Sequence, residues 1–163
     1  MTRTPIDVFV ANEQSDVAVD EHRLVSLVRV AAVEEGVDPR AEVTVLLVER
    51  SAMASLKEKW LGEPGPTDVL AFPMDDQVPD EEPYILGDIV ICPDVAREQA
   101  ATAGDKVNDE VDLLLVHGFL HLMGYDHVKP ADARTMRHRE KKILAEFHRR
   151  SATGSAPAAG GTE

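Results

Sequence analysis

The chain has 163 residues, 44% hydrophobic and 29% charged, which is the composition of a single globular domain with its own core. Seventeen Lys and Arg against thirty Asp and Glu leave a net charge of −13, which disfavours general attraction to nucleic acid or anionic lipid. The single cysteine, Cys92, excludes an intrachain disulfide and a CxxC metal cluster. Because the sequence shows no secretory signal and no apolar run of bilayer length, we expect a cytoplasmic protein without a membrane partner.

Hydrophobic spacing predicts four strands and five helices along the chain. The strands are predicted at residues 6–10, 42–48, 68–72 and 85–92. The helices are predicted at residues 20–36, 53–60, 94–102 and 107–123, with a last helix beginning at Pro130. We expect residues 1–150 to form one domain and the Ala, Gly and Ser-rich segment 151–163 to be a disordered tail.

An acidic segment, Asp75 to Glu82, separates the third and fourth predicted strands. It contains five acidic residues and no basic one, so it is predicted to be a solvated loop. Such a loop could gate a cleft or only keep the chain soluble, and its composition does not decide between the two.

The fourth predicted helix carries a histidine cluster. Its residues are apolar around nearly the whole circumference, which predicts a buried central helix. His117 and His121 are spaced i and i+4 and therefore share one face, and Gly124 can end the helix so that the chain returns with His127. Three imidazoles without an obvious fourth protein ligand are typical of an open, catalytic Zn²⁺ site. The alternative is two core histidines and one exposed histidine, but paired buried imidazoles without an ion would leave nitrogens unsatisfied.

Metalloproteases share this histidine spacing in the pattern HExxHxxGxxH, where the Glu acts as general base. Here Gly118 stands in place of that Glu, which argues against peptide hydrolysis. RNA, in contrast, brings its own 2′-hydroxyl and an anionic phosphate that suits a Lewis acid. Asp126 could replace the missing carboxylate, although its position before His127 equally suits a turn-forming residue that orients a ligand.

The segment HGFLHLMGYDH, residues 117–127, resembles the signature of the YbeY family of bacterial metal-dependent endoribonucleases that act in rRNA maturation. GPTDVLAFPMD at 65–75 and LGDIVICPDVAREQA at 86–100 also resemble that family, so the resemblance covers about residues 5 to 148. It implies an α+β fold in which a small mixed four-stranded sheet packs with about five helices, the buried central helix bearing the metal-binding histidines.

The resemblance also implies one Zn²⁺ per chain, bound by His117, His121 and His127. The implied substrate is single-stranded RNA, notably rRNA precursors. The implied roles are small-subunit ribosome maturation and ribosome quality control, with small-subunit ribosomal proteins or assembly factors as partners.

One position departs from the family. An arginine implicated in catalysis often precedes the segment that matches Pro66-Thr67-Asp68, and Leu61 occupies its place here. Lys57 and Lys59 could supply a cation instead, although ordinary surface solvation explains both. Together with Asp126 they are weak catalytic candidates, and no catalytic residue beyond the metal centre is assigned.

The last helix is the one basic region of this acidic chain. Residues 134–150 contain seven Lys or Arg and two Glu, a local charge of +5 against −18 for the remainder. Since phosphate contacts dominate nucleic-acid affinity, Arg134, Arg137, Lys141 and Arg149 are the RNA-binding candidates. Two alternatives to a ribonuclease stay open: an assembly factor whose zinc is mainly structural, and a metallohydrolase of another substrate such as peptide.

Overall fold

The computed structural model describes residues 5–74 and 78–153, which form four strands and five helices. The strands are β1 (Asp7–Asn12), β2 (Ala41–Leu47), β3 (Val69–Pro73) and β4 (Tyr84–Ile91). The helices are α1 (Glu21–Glu34), α2 (Arg50–Leu61), α3 (Pro93–Ala103), α4 (Val107–Leu122) and α5 (Pro130–Thr153). None of the helices in these ranges is long and apolar enough to cross a membrane.

The strands form one mixed sheet in the order β1-β2-β4-β3. β1 and β4 both pair in parallel with β2, and β3 pairs antiparallel with β4 at the edge. In β2 every second residue from Ala41 to Leu47 is buried and those between are half-buried, which is the alternation of a strand with one face on the core. The predicted α+β fold with a four-stranded mixed sheet and five helices is confirmed.

Helix α4 lies at the centre of the packing, against β3, β4, α1, α3 and α5. Its buried residues include Leu115, Phe119 and Leu120, none of which is more than 1% exposed. A helix that is apolar on almost every side can only be stable with neighbours on almost every side. The predicted buried central helix is therefore confirmed.

The start of α1 follows the capping signal in the sequence. The Asp20 side chain accepts a hydrogen bond from the Arg23 N–H at 3.3 Å, so it caps α1 as predicted. α2 begins at Arg50, earlier than the predicted residue 53, directly after Glu49 in extended conformation. α5 continues to Thr153 and so includes the first residues of the segment expected to be a disordered tail. Residues 154–163, the rest of that segment, lie outside the described residues.

The acidic loop is only partly described. Residues 78–83 contain no helix or strand, as expected of a loop, and residues 75–77 lie outside the described residues. One cation contacts the described part, since the Arg40 guanidinium donates a hydrogen bond to the Pro79 carbonyl at 2.7 Å.

A buried ion pair joins α1 to α4. The Asp112 carboxylate is 2% exposed and accepts from both Nε and Nη2 of Arg23. Burial raises the pKa of Asp112, while the hydrogen bond from Arg23 acts in the opposite direction. A carboxylate at this position needs the guanidinium, because an unpaired buried charge is strongly destabilising.

Gly118 allows α4 to approach the sheet closely. A Cβ at this position would lie 2.7 Å from Ile89 Cγ2 and 3.3 Å from Val69 Cγ2. Both atoms are branch methyls attached directly at the Cβ of sheet residues, so neither can swing away freely. The glycine is therefore required by packing against β3 and β4.

Gly118→Ala should destabilise the protein by about 2 kcal/mol, because overpacking outweighs the gain of ~1 kcal/mol in helix propensity. Urea unfolding measures the difference. In a double-mutant cycle, Ile89→Ala makes room for the added methyl, so the double variant should lose less than the sum of the two single variants. Additive losses would contradict the proposed close contact.

Arg23→Met should cost about 3 kcal/mol at neutral pH, because it leaves the Asp112 carboxylate buried without its partner. A raised pKa in the folded state means that ionisation above the ordinary Asp pKa of ~3.9 opposes folding, so the defect should narrow as pH falls toward 4. Urea unfolding at pH 7.5 and pH 5 tests this. Adding Asp112→Asn should restore part of the lost stability at pH 7.5, and a pH-independent defect would count against the assignment.

Candidate metal centre

Two of the three cluster histidines project from one face of α4. His117 and His121 are half-buried, at the end of a helix whose other residues are mostly buried. Their ring centroids are 4.6 Å apart, as expected for i and i+4 residues on one helical face. The prediction that these two imidazoles lie on one face of the helix is confirmed.

The end of α4 brings in the third histidine. Gly124 adopts a left-handed conformation with φ of 96°, which a glycine takes without strain. Its N–H donates to the His121 carbonyl and the Tyr125 N–H donates to the Leu120 carbonyl, each at 3.0 Å, which is the Schellman pattern of helix termination. The chain turns back, and the His127 ring centroid lies 5.4 Å from that of His117 and 5.1 Å from that of His121.

The backbone after this turn is held by Asp126. One carboxylate oxygen, Oδ1, accepts from the N–H groups of His127 at 2.6 Å and Val128 at 3.2 Å. This is an Asx-type turn, in which a short side chain replaces backbone hydrogen bonding. Asp126 therefore supports the position of His127 through the backbone, in agreement with its interpretation as a turn-forming residue.

Hydrogen bonds at Nδ1 orient both α4 imidazoles. His117 Nδ1 lies 2.5 Å from Glu140 Oε2, and His121 Nδ1 lies 3.0 Å from the Tyr125 carbonyl oxygen. A carboxylate and a carbonyl only accept, so each Nδ1 carries the proton. In a neutral imidazole with its proton on Nδ1, the Nε2 atom is an unprotonated acceptor.

The two acceptor nitrogens face each other. His117 Nε2 and His121 Nε2 are 3.1 Å apart, and two neutral rings protonated at Nδ1 have no hydrogen to place between these atoms. Two nitrogens bound to one tetrahedral Zn²⁺ at ~2.1 Å lie about 3.4 Å apart, so the observed spacing suits a shared ion. Ligand atoms of all three histidines lie within 4.8 Å of one another, which makes the triad compatible with a metal site.

The surroundings of His121 favour its neutral form. Burial lowers the pKa of His121, and the neighbouring His117 lowers it further. A neutral imidazole is the form that binds a metal ion. A second group, Asp109, Asp112 and His148, also brings ligand atoms together, but Arg23 already occupies the Asp112 carboxylate.

A cavity of about 240 Å³ opens in front of the histidines. Its lining consists of the three histidines and of Asp68, Val69, Ala71 and Gly118. The edge strand β3 thus forms the wall opposite α4. Because a Cβ at residue 118 already collides with the sheet, the glutamate that metalloproteases carry at this position has no room here.

The two lysine candidates do not reach this cavity. Lys57 is half-buried and lies 3.8 Å from the Glu63 carboxylate, whereas the Lys59 ammonium lies 5.3 Å from the Trp60 ring centroid. Neither is among the lining residues. Leu61 is the last residue of α2 and is 53% exposed.

The basic side of α5 faces away from the core. Arg134, Arg137 and Lys141 are exposed and form no ion pair within residues 5–74 and 78–153. Arg149 differs, because its guanidinium is paired with Glu146. Met136 and Glu140 lie on the buried side of the same helix, and none of the four basic residues is among those that line the histidine cavity.

Two residues that orient the histidine rings were not identified from the sequence. Glu140 lies at a core-facing position in the series Met136, Glu140, Ile143 and Phe147, and a carboxylate on an apolar helix face is a signal that could have indicated it. The Tyr125 carbonyl has no such signal, since it is a backbone group brought to His121 by the turn.

Comparisons with known proteins agree with this geometry. Residues 9–148 match the family described as endoribonuclease YbeY. A Thermobifida fusca protein named endoribonuclease YbeY is 49% identical over 149 residues, which cover 88% of this chain and 96% of that protein. A Frankia alni protein of the same name is 46% identical, covering 94% of this chain and 90% of its own length.

The solution structure of TM1509 from Thermotoga maritima superposes with a TM-score of 0.62 at 25% identity. The superposition covers 96% of this chain and 99% of the other. The agreement of sequence and fold over nearly the whole length leads to one assignment. The chain belongs to the endoribonuclease YbeY family.

Proposed function

We propose that the protein is a zinc-dependent endoribonuclease that cuts single-stranded RNA in the processing of rRNA precursors. Its place would be the cytoplasm, in small-subunit ribosome maturation and ribosome quality control, with small-subunit ribosomal proteins or assembly factors as partners. Membership in the endoribonuclease YbeY family supports the reaction class.

One observation carries the proposal. The Nε2 atoms of His117 and His121 face each other at 3.1 Å beside a third imidazole, at the wall of an open cavity. A structural zinc site is usually closed by four protein ligands, whereas three histidines and an adjoining cavity leave a position for water or substrate. A catalytic ion is therefore favoured over a purely structural one.

The side chains present would divide the work as follows. His117, His121 and His127 would hold one ion per chain, with Glu140 and the Tyr125 carbonyl fixing two of the rings. A bound Zn²⁺ would supply Lewis acidity at the phosphate and make a water molecule acidic enough to react near neutral pH. The wall formed by β3 would confine the RNA strand against the histidines.

Two other functions are less well supported. Peptide hydrolysis lacks its general base, because Gly118 has no room for a side chain. An assembly factor with structural zinc would account for Leu61 in place of the family's arginine. It would not account for the open coordination side of the cluster.

Metal-loaded wild type should cleave a labelled single-stranded RNA internally, and His121→Ala purified in the same way should not, because the variant lacks one metal ligand. His22→Ala is the matched control, since His22 is an exposed residue on α1 outside the histidine cavity. It should cleave like wild type. Gel analysis of the products, with metal content measured for each protein, gives the result.

Equal cleavage by wild type and His121→Ala would assign the activity to another site or a contaminant. No cleavage by either, with one Zn²⁺ bound to wild type, would favour the assembly-factor function. Digestion of casein by wild type but not by His121→Ala would instead support a peptide hydrolase.

We also propose that the basic surface of α5, formed by Arg134, Arg137 and Lys141 with Arg149 at its end, guides RNA to the cavity. Three of these cations have no anionic partner in the described chain, and α5 begins soon after His127. Both features would let the surface contact phosphates next to the site.

Arg137→Ala combined with Lys141→Ala should weaken RNA binding and flatten its salt dependence. Removing one cation that neutralises a phosphate of a single strand reduces the slope of log K against log salt by ~0.7, so the expected change is about 1.4. Fluorescence anisotropy at several salt concentrations measures it. Arg149→Ala is the comparison and should change the slope less, because Glu146 already pairs with that guanidinium. An unchanged slope in the double variant would reject the guiding surface.

A further inference from the structure

The loop after α4, residues 123–128, determines two parts of the histidine site. It carries His127, and its Tyr125 carbonyl accepts the hydrogen bond that orients the His121 ring. A shift of this loop would therefore move one imidazole and release another. What holds the loop in place decides whether the three histidines converge.

The Tyr125 side chain anchors the loop to α1. Its hydroxyl donates a 2.7 Å hydrogen bond to Glu35 Oε1, and Glu35 directly follows the last residue of α1. The backbone carbonyl of Tyr125 thus contacts the His121 ring, while its hydroxyl is held by Glu35 at the end of α1. One residue connects the two.

Arg139 completes the anchor from α5. Its Nε donates to Glu35 Oε2 at 2.7 Å and its Nη2 donates to the Glu34 carbonyl at 3.1 Å. Both oxygens of the Glu35 carboxylate, which is only 5% exposed, are therefore engaged. With one donor on each oxygen, the Glu35 carboxylate is held in one orientation. Removing either donor would leave a buried carboxylate oxygen without a hydrogen bond, which is unfavourable.

Arg139 and Glu140 are consecutive residues of α5 that reach the site by two routes. Glu140 accepts directly from His117, whereas Arg139 acts through Glu35 on Tyr125. We propose that Arg139, Glu35 and Tyr125 form a positioning network that holds the loop of residues 123–128 in its metal-binding conformation. This inference rests on the proposed metal role of the histidines and assigns no contact with substrate to the network.

Tyr125→Phe should weaken Zn²⁺ binding about tenfold, because the loss of an outlying partner of a metal ligand costs 10–100-fold in affinity. Arg139→Met should have a similar effect. Tyr125 and Arg139 act through the same carboxylate, that of Glu35. The Zn²⁺ affinity of the double variant should therefore equal that of the single variant with the lower affinity. Competition with a chromophoric chelator measures affinity, and the visible absorption of bound Co²⁺ reports whether the coordination geometry changes.

Arg23→Met is the matched control. It removes another partly exposed arginine that pairs with a buried carboxylate, and it therefore lowers the stability of the fold without touching the loop. Urea unfolding of the metal-free proteins gives the stability of each variant. The control should lose stability and keep wild-type metal affinity, whereas Tyr125→Phe should lose affinity out of proportion to its stability.

Wild-type Zn²⁺ affinity and an unchanged Co²⁺ spectrum in Tyr125→Phe and Arg139→Met would overturn the positioning network while leaving the metal centre intact. Weakened binding that Arg23→Met reproduces would also overturn it, because the effect would reflect general destabilisation. If wild type binds neither ion, the metal centre itself fails, and the network fails with it.

Discussion

The structure depends on placing two imidazoles in a helix that has almost no solvent-facing side. α4 is buried between the sheet and three helices, yet His117 and His121 bring four polar ring nitrogens to its end. Two of these nitrogens are satisfied by Glu140 and by the Tyr125 carbonyl. The other two face each other across 3.1 Å at a cavity. Polar nitrogens on a mostly buried helix need hydrogen-bond partners, and Glu140 and the Tyr125 carbonyl provide two of them.

The elements around α4 serve the same requirement from different directions. The edge strand β3 forms one wall of the cavity, while Gly118 lets the helix approach that strand closely. α5 covers the opposite side and supplies Glu140 to a ring nitrogen from an otherwise apolar face. The site therefore results from the packing of β3, α4 and α5. At a position such as Glu140, a polar contact takes the place of a hydrophobic one.

The basic residues of α5 fall into two groups, exposed cations and arginines that are paired with a carboxylate. Acidic residues dominate most of the chain, whereas α5 carries a group of exposed cations. Arg139 and Arg149 show that the same basic run contains different kinds of residue. Arg139 is inside a network with Glu35, and Arg149 is paired with Glu146, so neither is a simple surface cation. Charge counted along the sequence cannot distinguish these roles, because it ignores which helix face each residue occupies.

Local patterns in the chain were enough to predict the order and type of the elements, the buried α4 and the three histidines, because hydrophobic periodicity, a helix-ending glycine and i, i+4 spacing involve only neighbouring residues. They also indicated the turn at Asp126. The residues that support the histidines follow instead from the three-dimensional packing. Glu140 is separated from His117 by 23 residues, and Glu35 from Tyr125 by 90. Contacts between residues so far apart depend on how α1, α4 and α5 pack against one another, and local patterns carry no information about that packing.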